Sequence, residues 1–141
     1  MDLQLRGKVA VVTGSGGGIG REHALALSAA GAALVINDLG GTRDGSGAGH
    51  NMADAVVEEI RKAGGTAVAN YDSVATVAGG QGILKSALDA FGRVDVLVNN
   101  AGILRDKTLA KMEEGEWDIV ISVHLKGTYC VTRPVFQHMK E

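Results

Sequence analysis

Cysteine is nearly missing from this chain: Cys130 stands alone in 141 residues, which excludes an internal disulfide and suits a reducing compartment. In a helix, that residue reads as a small apolar side chain rather than a nucleophile. No surplus of one charge exists either. Fourteen basic residues face 16 acidic ones for a net charge of -2, so the broad positive field that nucleic acid requires is absent. No apolar run approaches the roughly 18 residues of a membrane span. Met1-Asp2-Leu3-Gln4 offers neither the basic nor the apolar region of a secretory signal, so a cytoplasmic location is expected, or a peroxisomal one if the source is eukaryotic. No metal site and no membrane partner are expected. The lone proline, Pro134, falls in the last helical stretch, where it removes one backbone donor and should bend the helix.

Apolar residues and glycine are plentiful. At 45% apolar content the chain has enough core-formers for one globular domain over residues 1–141. Val9-Ala10-Val11-Val12 reads as a buried parallel strand. Thr13-Gly14-Ser15-Gly16-Gly17-Gly18-Ile19-Gly20 follows directly, then a helical stretch over 22–30 that stops at Gly31, then the apolar run 33–36 leading to Asn37-Asp38. With 21 glycines in the chain, a bare Gly-x-x-x-Gly-x-Gly match arises by chance in about half of such sequences. Its position between a strand and a helix, with an acid ending the next strand, is what marks a nucleotide-binding βαβ unit.

Each glycine then has a reason. Gly14 permits a sharp turn off the strand, Gly18 lets backbone approach a pyrophosphate, and Gly20 lets the helix pack near the sheet. The N–H groups around Gly18–Arg21 lie at the positive end of the helix dipole and favour phosphate without a lysine. Asp38 can accept hydrogen bonds from both adenosine ribose hydroxyls and repel a 2′-phosphate. Ser15, Gly16 and Leu39 occupy the places where NADP binders set a cation, and Arg43 lies farther on in a glycine-rich loop over 40–49. NAD is therefore the expected cofactor. That loop reads as a flexible insertion or as a flap over the cofactor.

Farther along, Val56, Val57 and Ile60 share one face of a helix over 53–63, which stops at Gly64-Gly65. A third strand over 66–69 leads to Asn70-Tyr71-Asp72, and a helix over 78–91 ends at Gly92. A fourth strand over 94–98 runs into Asn99-Asn100-Ala101-Gly102, and a last helix covers 116–139. Alternating strands and helices imply an α/β Rossmann-type, doubly wound parallel sheet in the order 3-2-1-4.

Three strings together resemble the short-chain dehydrogenase/reductase family: the glycine loop from Thr13 to Gly20, Asp72 after the third strand, and Asn99-Asn-Ala-Gly102 after the fourth. The resemblance covers the whole chain. It implies that Asp72 and Ser73 bracket the adenine, that Asn99 to Gly102 (Asn99, Asn100, Ala101 and Gly102) line the ribose side, and that Gly14, Ser15, Gly18, Ile19 and Gly20 form the pyrophosphate loop. Within the family, Asn37-Asp38-Leu39-Gly40-Gly41, Val56-Val57-Glu58-Glu59-Ile60, Val68-Ala69-Asn70-Tyr71-Asp72-Ser73 and Val123-His124-Leu125-Lys126-Gly127 are similar to the (3R)-hydroxyacyl-CoA dehydrogenases of β-oxidation. That likeness implies NAD-linked oxidation of a 3-hydroxyacyl thioester or similar secondary alcohol, and a homo-oligomer in the full-length form.

Two departures stand out. His124 occupies the family's asparagine position in the proton relay, where it either holds the relay water or packs inside the helices. The family's catalytic serine, and its tyrosine with a lysine four residues later, have no counterpart here. Tyr71 has Ala75 at that spacing, and Tyr129 has Arg133 but belongs to the helix before the catalytic segment. The chain thus reads as a cofactor half ending before the fifth strand, inactive alone. The alternatives are an NADP-linked 3-oxoacyl thioester reductase and a non-catalytic nucleotide-binding domain.

Overall fold

The computed structural model describes residues 4–40 and 51–141; the expected loop over 40–49 thus lies, after Gly40, outside the described residues. The β-branched run becomes β1 (Val9–Thr13), followed by α1 (Gly18–Ala29) and β2 (Ala33–Asn37). Then come α2 (Asn51–Lys62), β3 (Ala67–Asn70), α3 (Val77–Phe91) and β4 (Val96–Val98). Helices α4 (Glu114–Ile121) and α5 (Gly127–Met139) complete the described order, after a short 3-10 turn at Leu109–Lys111. All strand pairs are parallel and the order is β3-β2-β1-β4, as the alternation of elements predicts.

The two-residue period of the strands sorts their side chains onto two cores. Ala10, Val12, Leu34 and Ile36 point to one face, where Ala24 of α1 and Val56 and Ile60 of α2 cover them. Val9, Val11 and Val35 point to the other, against Ile83 and Ala87 of α3 and Val131 and Val135 of α5. Fully buried residues such as Leu34, Ile36 and Ile83 each contribute about 1.5–3 kcal/mol of transfer free energy. Cys130 is buried in the same layer as α5's valines, consistent with a packing role.

Helix ends explain the remaining boundaries. Thr76 caps α3 by accepting from the Gly79 N–H at 3.0 Å, so the helix starts just before the expected position. At α4, the Glu116 carboxylate accepts from the Glu113 N–H at 3.0 Å, and the helix begins at Glu114 rather than at 116.

Pro134, where a bend is expected, sits inside α5, and a π-type turn over Ser122–Lys126 lies upstream, where the Gly127 N–H bonds Ser122 O. Having no N–H, Pro134 leaves the Cys130 carbonyl without its intrahelical donor. That carbonyl lies against Gly80 of α3: a Cβ there would sit 1.9 Å from it, so the two helices meet backbone to backbone.

Candidate functional site

The carboxyl ends of β1, β2, β3 and β4 open onto a cavity of about 300 Å³. This is where an open parallel sheet builds its ligand site, since the strand order reverses beside β1. Its walls come from three turns: the glycine loop (Gly14, Gly17, Gly18), the segment after β2 (Asp38, Leu39, Gly40) and that after β3 (Asp72, Ser73, Val74). Asn100, Ala101, Gly102, Ile103 and Val123 close the opposite side, and Met52 of α2 covers the glycine loop.

At Gly14 and Gly20 the glycine loop is held by contacts that leave no room for a side chain. Gly14 has a φ of +61°, and a Cβ there would lie 2.8 Å from Ala101 Cα. A Cβ on Gly20 would lie 2.3 Å from the Gly14 carbonyl and 2.4 Å from Asn100 Nδ2. Helix α1 starts with Gly17 as its N-cap, no side chain caps it, and its first turn holds no acid. Its leading amides and the positive end of its dipole are thus directed at the cavity mouth.

Thr13 joins this loop to the turn after β4. Its hydroxyl oxygen accepts from the Asn100 and Ala101 N–H groups at 3.1 and 3.0 Å, and Asn100 Nδ2 donates to the carbonyls of Thr13 and Gly14 at 3.0 Å each. The neighbouring Asn99 turns away and donates to Thr132 Oγ1 on α5 at 2.9 Å.

Asp38 is aimed by backbone. Its Oδ2 accepts from the Gly16 N–H at 2.9 Å, and its Oδ1 from the Gly40 N–H at 3.0 Å. Both oxygens therefore sit at the junction of the glycine loop and the cavity. No lysine or arginine lines the cavity among the described residues, so its fixed charges are the carboxylates of Asp38 and Asp72.

Of the residues expected from sequence, Gly14, Gly18, Asp38, Asp72, Ser73, Ala101 and Gly102 line the cavity. Ser15, Ile19, Gly20 and Asn99 do not. Ser15 is fully buried; its hydroxyl donates to Val12 O at 2.7 Å and its N–H to Asn37 O at 2.9 Å. Ile19 is exposed at the start of α1. Asn100, inside the expected Asn99–Gly102 string, lines the cavity in place of Asn99. Met52 was not among the expected residues; its place depends on how α2 docks and carries no local signal.

His124 lies in the π-type turn with its ring exposed rather than packed inside the helices. Its Nε2 lies 3.0 Å from the Ile103 N–H and 2.9 Å from the Ile103 carbonyl, so one tautomer accepts from the first and the other donates to the second. The extra residue of the π turn brings the ring onto the turn after β4. Tyr71 is engaged elsewhere: its hydroxyl bonds Asp54 on α2, whose carboxylate pushes the phenol up from its ordinary range.

The short chain dehydrogenase family model matches residues 8–141. A protein of Mycobacterium tuberculosis named for the short-chain type of dehydrogenase/reductase is 60% identical over 134 residues, 95% of this chain and 47% of that one. Mouse peroxisomal multifunctional enzyme type 2 is 52% identical over 139 residues, 99% of this chain and 18% of the enzyme. A hydroxyacyl-CoA dehydrogenase of Mycobacterium tuberculosis is 43% identical over 129 residues, 92% of this chain and 39% of that one. A crystal structure of a short chain dehydrogenase from Mycobacterium avium superposes with a TM-score of 0.88 at 47% identity, covering 97% of this chain and 47% of that one. The chain thus spans less than half the length of these relatives.

Proposed function

The chain belongs to the short-chain dehydrogenase family, and from that premise we propose that it forms the cofactor-binding half of an NAD-dependent oxidoreductase acting on a 3-hydroxyacyl-CoA or a similar secondary alcohol. The observation that carries the cofactor choice is Asp38, whose carboxylate is set by the Gly16 and Gly40 amides at the edge of a cavity that no lysine or arginine lines among the described residues. In that position it accepts hydrogen bonds from a 2′,3′-diol and repels a 2′-phosphate.

The cavity suits a dinucleotide on its own chemistry. The uncapped start of α1 provides N–H donors and a positive dipole for the pyrophosphate, and the glycine packing keeps Cβ atoms out of its way. When bound, NAD supplies the hydride acceptor. Asp38 holds the adenosine ribose, and Asp72 and Ser73 flank the base. Ala101 and Gly102, fixed by Thr13 and Asn100, line the nicotinamide ribose side.

His124 is assigned to the proton relay through its Nδ1, since Nε2 is engaged with Ile103. The family's tyrosine acid/base and its lysine have no counterpart among residues 1–141, and these residues by themselves are expected to show no turnover. The thioester substrate is supported by the name of the hydroxyacyl-CoA dehydrogenase relative. The name of the peroxisomal relative supports a location in the peroxisome where the source has one.

Calorimetry on the full-length protein tests the cofactor reading. NAD should bind at least about tenfold tighter than NADP, and Asp38→Ala should narrow that gap. Equal affinities in the unmutated protein would refute it.

A further inference from the structure

Between the two carboxylates of the cavity runs a chain of buried amide hydrogen bonds with no part in the packing core. Asn37 ends β2 and Asn70 ends β3, paired in register, and both are buried. Asn37 Nδ2 donates to Asn70 Oδ1 at 2.8 Å and to the Asp72 carbonyl at 2.9 Å. Asn70 Oδ1 also accepts from the Asp72 N–H at 3.0 Å. Asn70 Nδ2 donates to Asp72 Oδ2 at 2.7 Å and to Ser86 Oγ on α3 at 2.8 Å.

Residue 72 is thereby held at its N–H, its carbonyl and its carboxylate by two side chains. The same Asn37 accepts the Ser15 N–H through its main-chain carbonyl, which links this unit to the glycine loop. Burying two amides is costly unless their donors and acceptors are satisfied, and here the bonds converge on one cavity-lining residue. A merely structural end to two strands needs no residue held at once by its N–H, its carbonyl and its carboxylate.

We propose that Asn37 and Asn70 are positioning residues that fix Asp72 for recognition of the base at this end of the cavity, and so set the preference for a 6-amino purine. The inference rests on the dinucleotide reading above. A carboxylate held in place accepts from the exocyclic amino group of adenine; hypoxanthine presents a carbonyl oxygen there, and two acceptors repel. A carboxylate freed from its clamp can swing away and lose this discrimination.

The test compares calorimetric affinities for NAD and for nicotinamide hypoxanthine dinucleotide in the full-length protein and in Asn70→Ser, with Asn37→Ser as the second variant should the first fail to fold. The unmutated protein should favour NAD by about tenfold or more, and the variants should favour it by less than about threefold. A variant that weakens both nucleotides by the same factor, or one that keeps the full preference, overturns the positioning role. An unmutated protein that binds NAD without preferring it also overturns it, and leaves the cofactor reading intact. An unmutated protein that binds neither nucleotide overturns the dinucleotide reading itself.

Discussion

Replacing Gly16 by alanine probes how far cofactor choice depends on the aim of one carboxylate. A Cβ at that position would lie 2.8 Å from Asp38 Oδ2, 2.9 Å from its Cγ and 2.7 Å from Met52 Cβ. Two of these three neighbours belong to the acid, so relief of the clash displaces Asp38 and breaks the 2.9 Å bond from the Gly16 N–H. A hydrogen bond to a charged group contributes about 1.5–3 kcal/mol, and the lower end applies because Asp38 is only half-buried. A loss of about 1.4 kcal/mol is tenfold in affinity, so NAD should bind Gly16→Ala about tenfold more weakly. NADP should lose less than about threefold, because the displaced carboxylate also repels its 2′-phosphate less. Titration calorimetry with both nucleotides, alongside circular dichroism for helix content, measures the two changes. Equal losses for NAD and NADP, or an unchanged affinity for NAD, would refute the reasoning.

Asp95 clamps the sheet from outside: it accepts from the Val9 N–H at 2.9 Å and from Arg93 Nε at 2.8 Å, and the Arg93 guanidinium is the main cause holding its carboxyl down at about 2. Because the folded-state value lies below the unfolded one, this stabilisation is present above about pH 4 and is lost as pH falls toward about 2. After screening at its partly open site it is on the order of 1 kcal/mol, so urea unfolding of Asp95→Asn should differ from the unmutated protein at pH 7 and converge with it near pH 2. At the contact of α3 with α5, Gly80→Ala drives a Cβ to within 1.9 Å of the Cys130 carbonyl, and thermal melts should show a loss of about 2 kcal/mol; an unchanged midpoint would mean that the helices separate freely.

The sheet order, the four strands and the glycine loop were legible in the sequence because each rests on local physics. Runs such as Val9–Val12 have no helical periodicity, and Gly14 and Gly20 punctuate the chain where a Cβ would strike backbone. Asp38 was legible for the same reason, as an acid ending the second strand. The placement of Pro134 and His124 was not. A proline predicts a lost donor, but only the packing of α5 on α3 decides that the Cys130 carbonyl comes to rest against Gly80, and no local signal marks the π-type turn at Ser122–Lys126. Likewise, no spacing rule tells Asn99 from Asn100, or joins Asn37 to Asn70. Those contacts span 33 residues between Asn99 and Thr132, 87 between Asn100 and Thr13, and 33 between Asn37 and Asn70. Hydrogen bonds across such separations form only once the parallel strands have set their register, and for that reason the tertiary structure decided them.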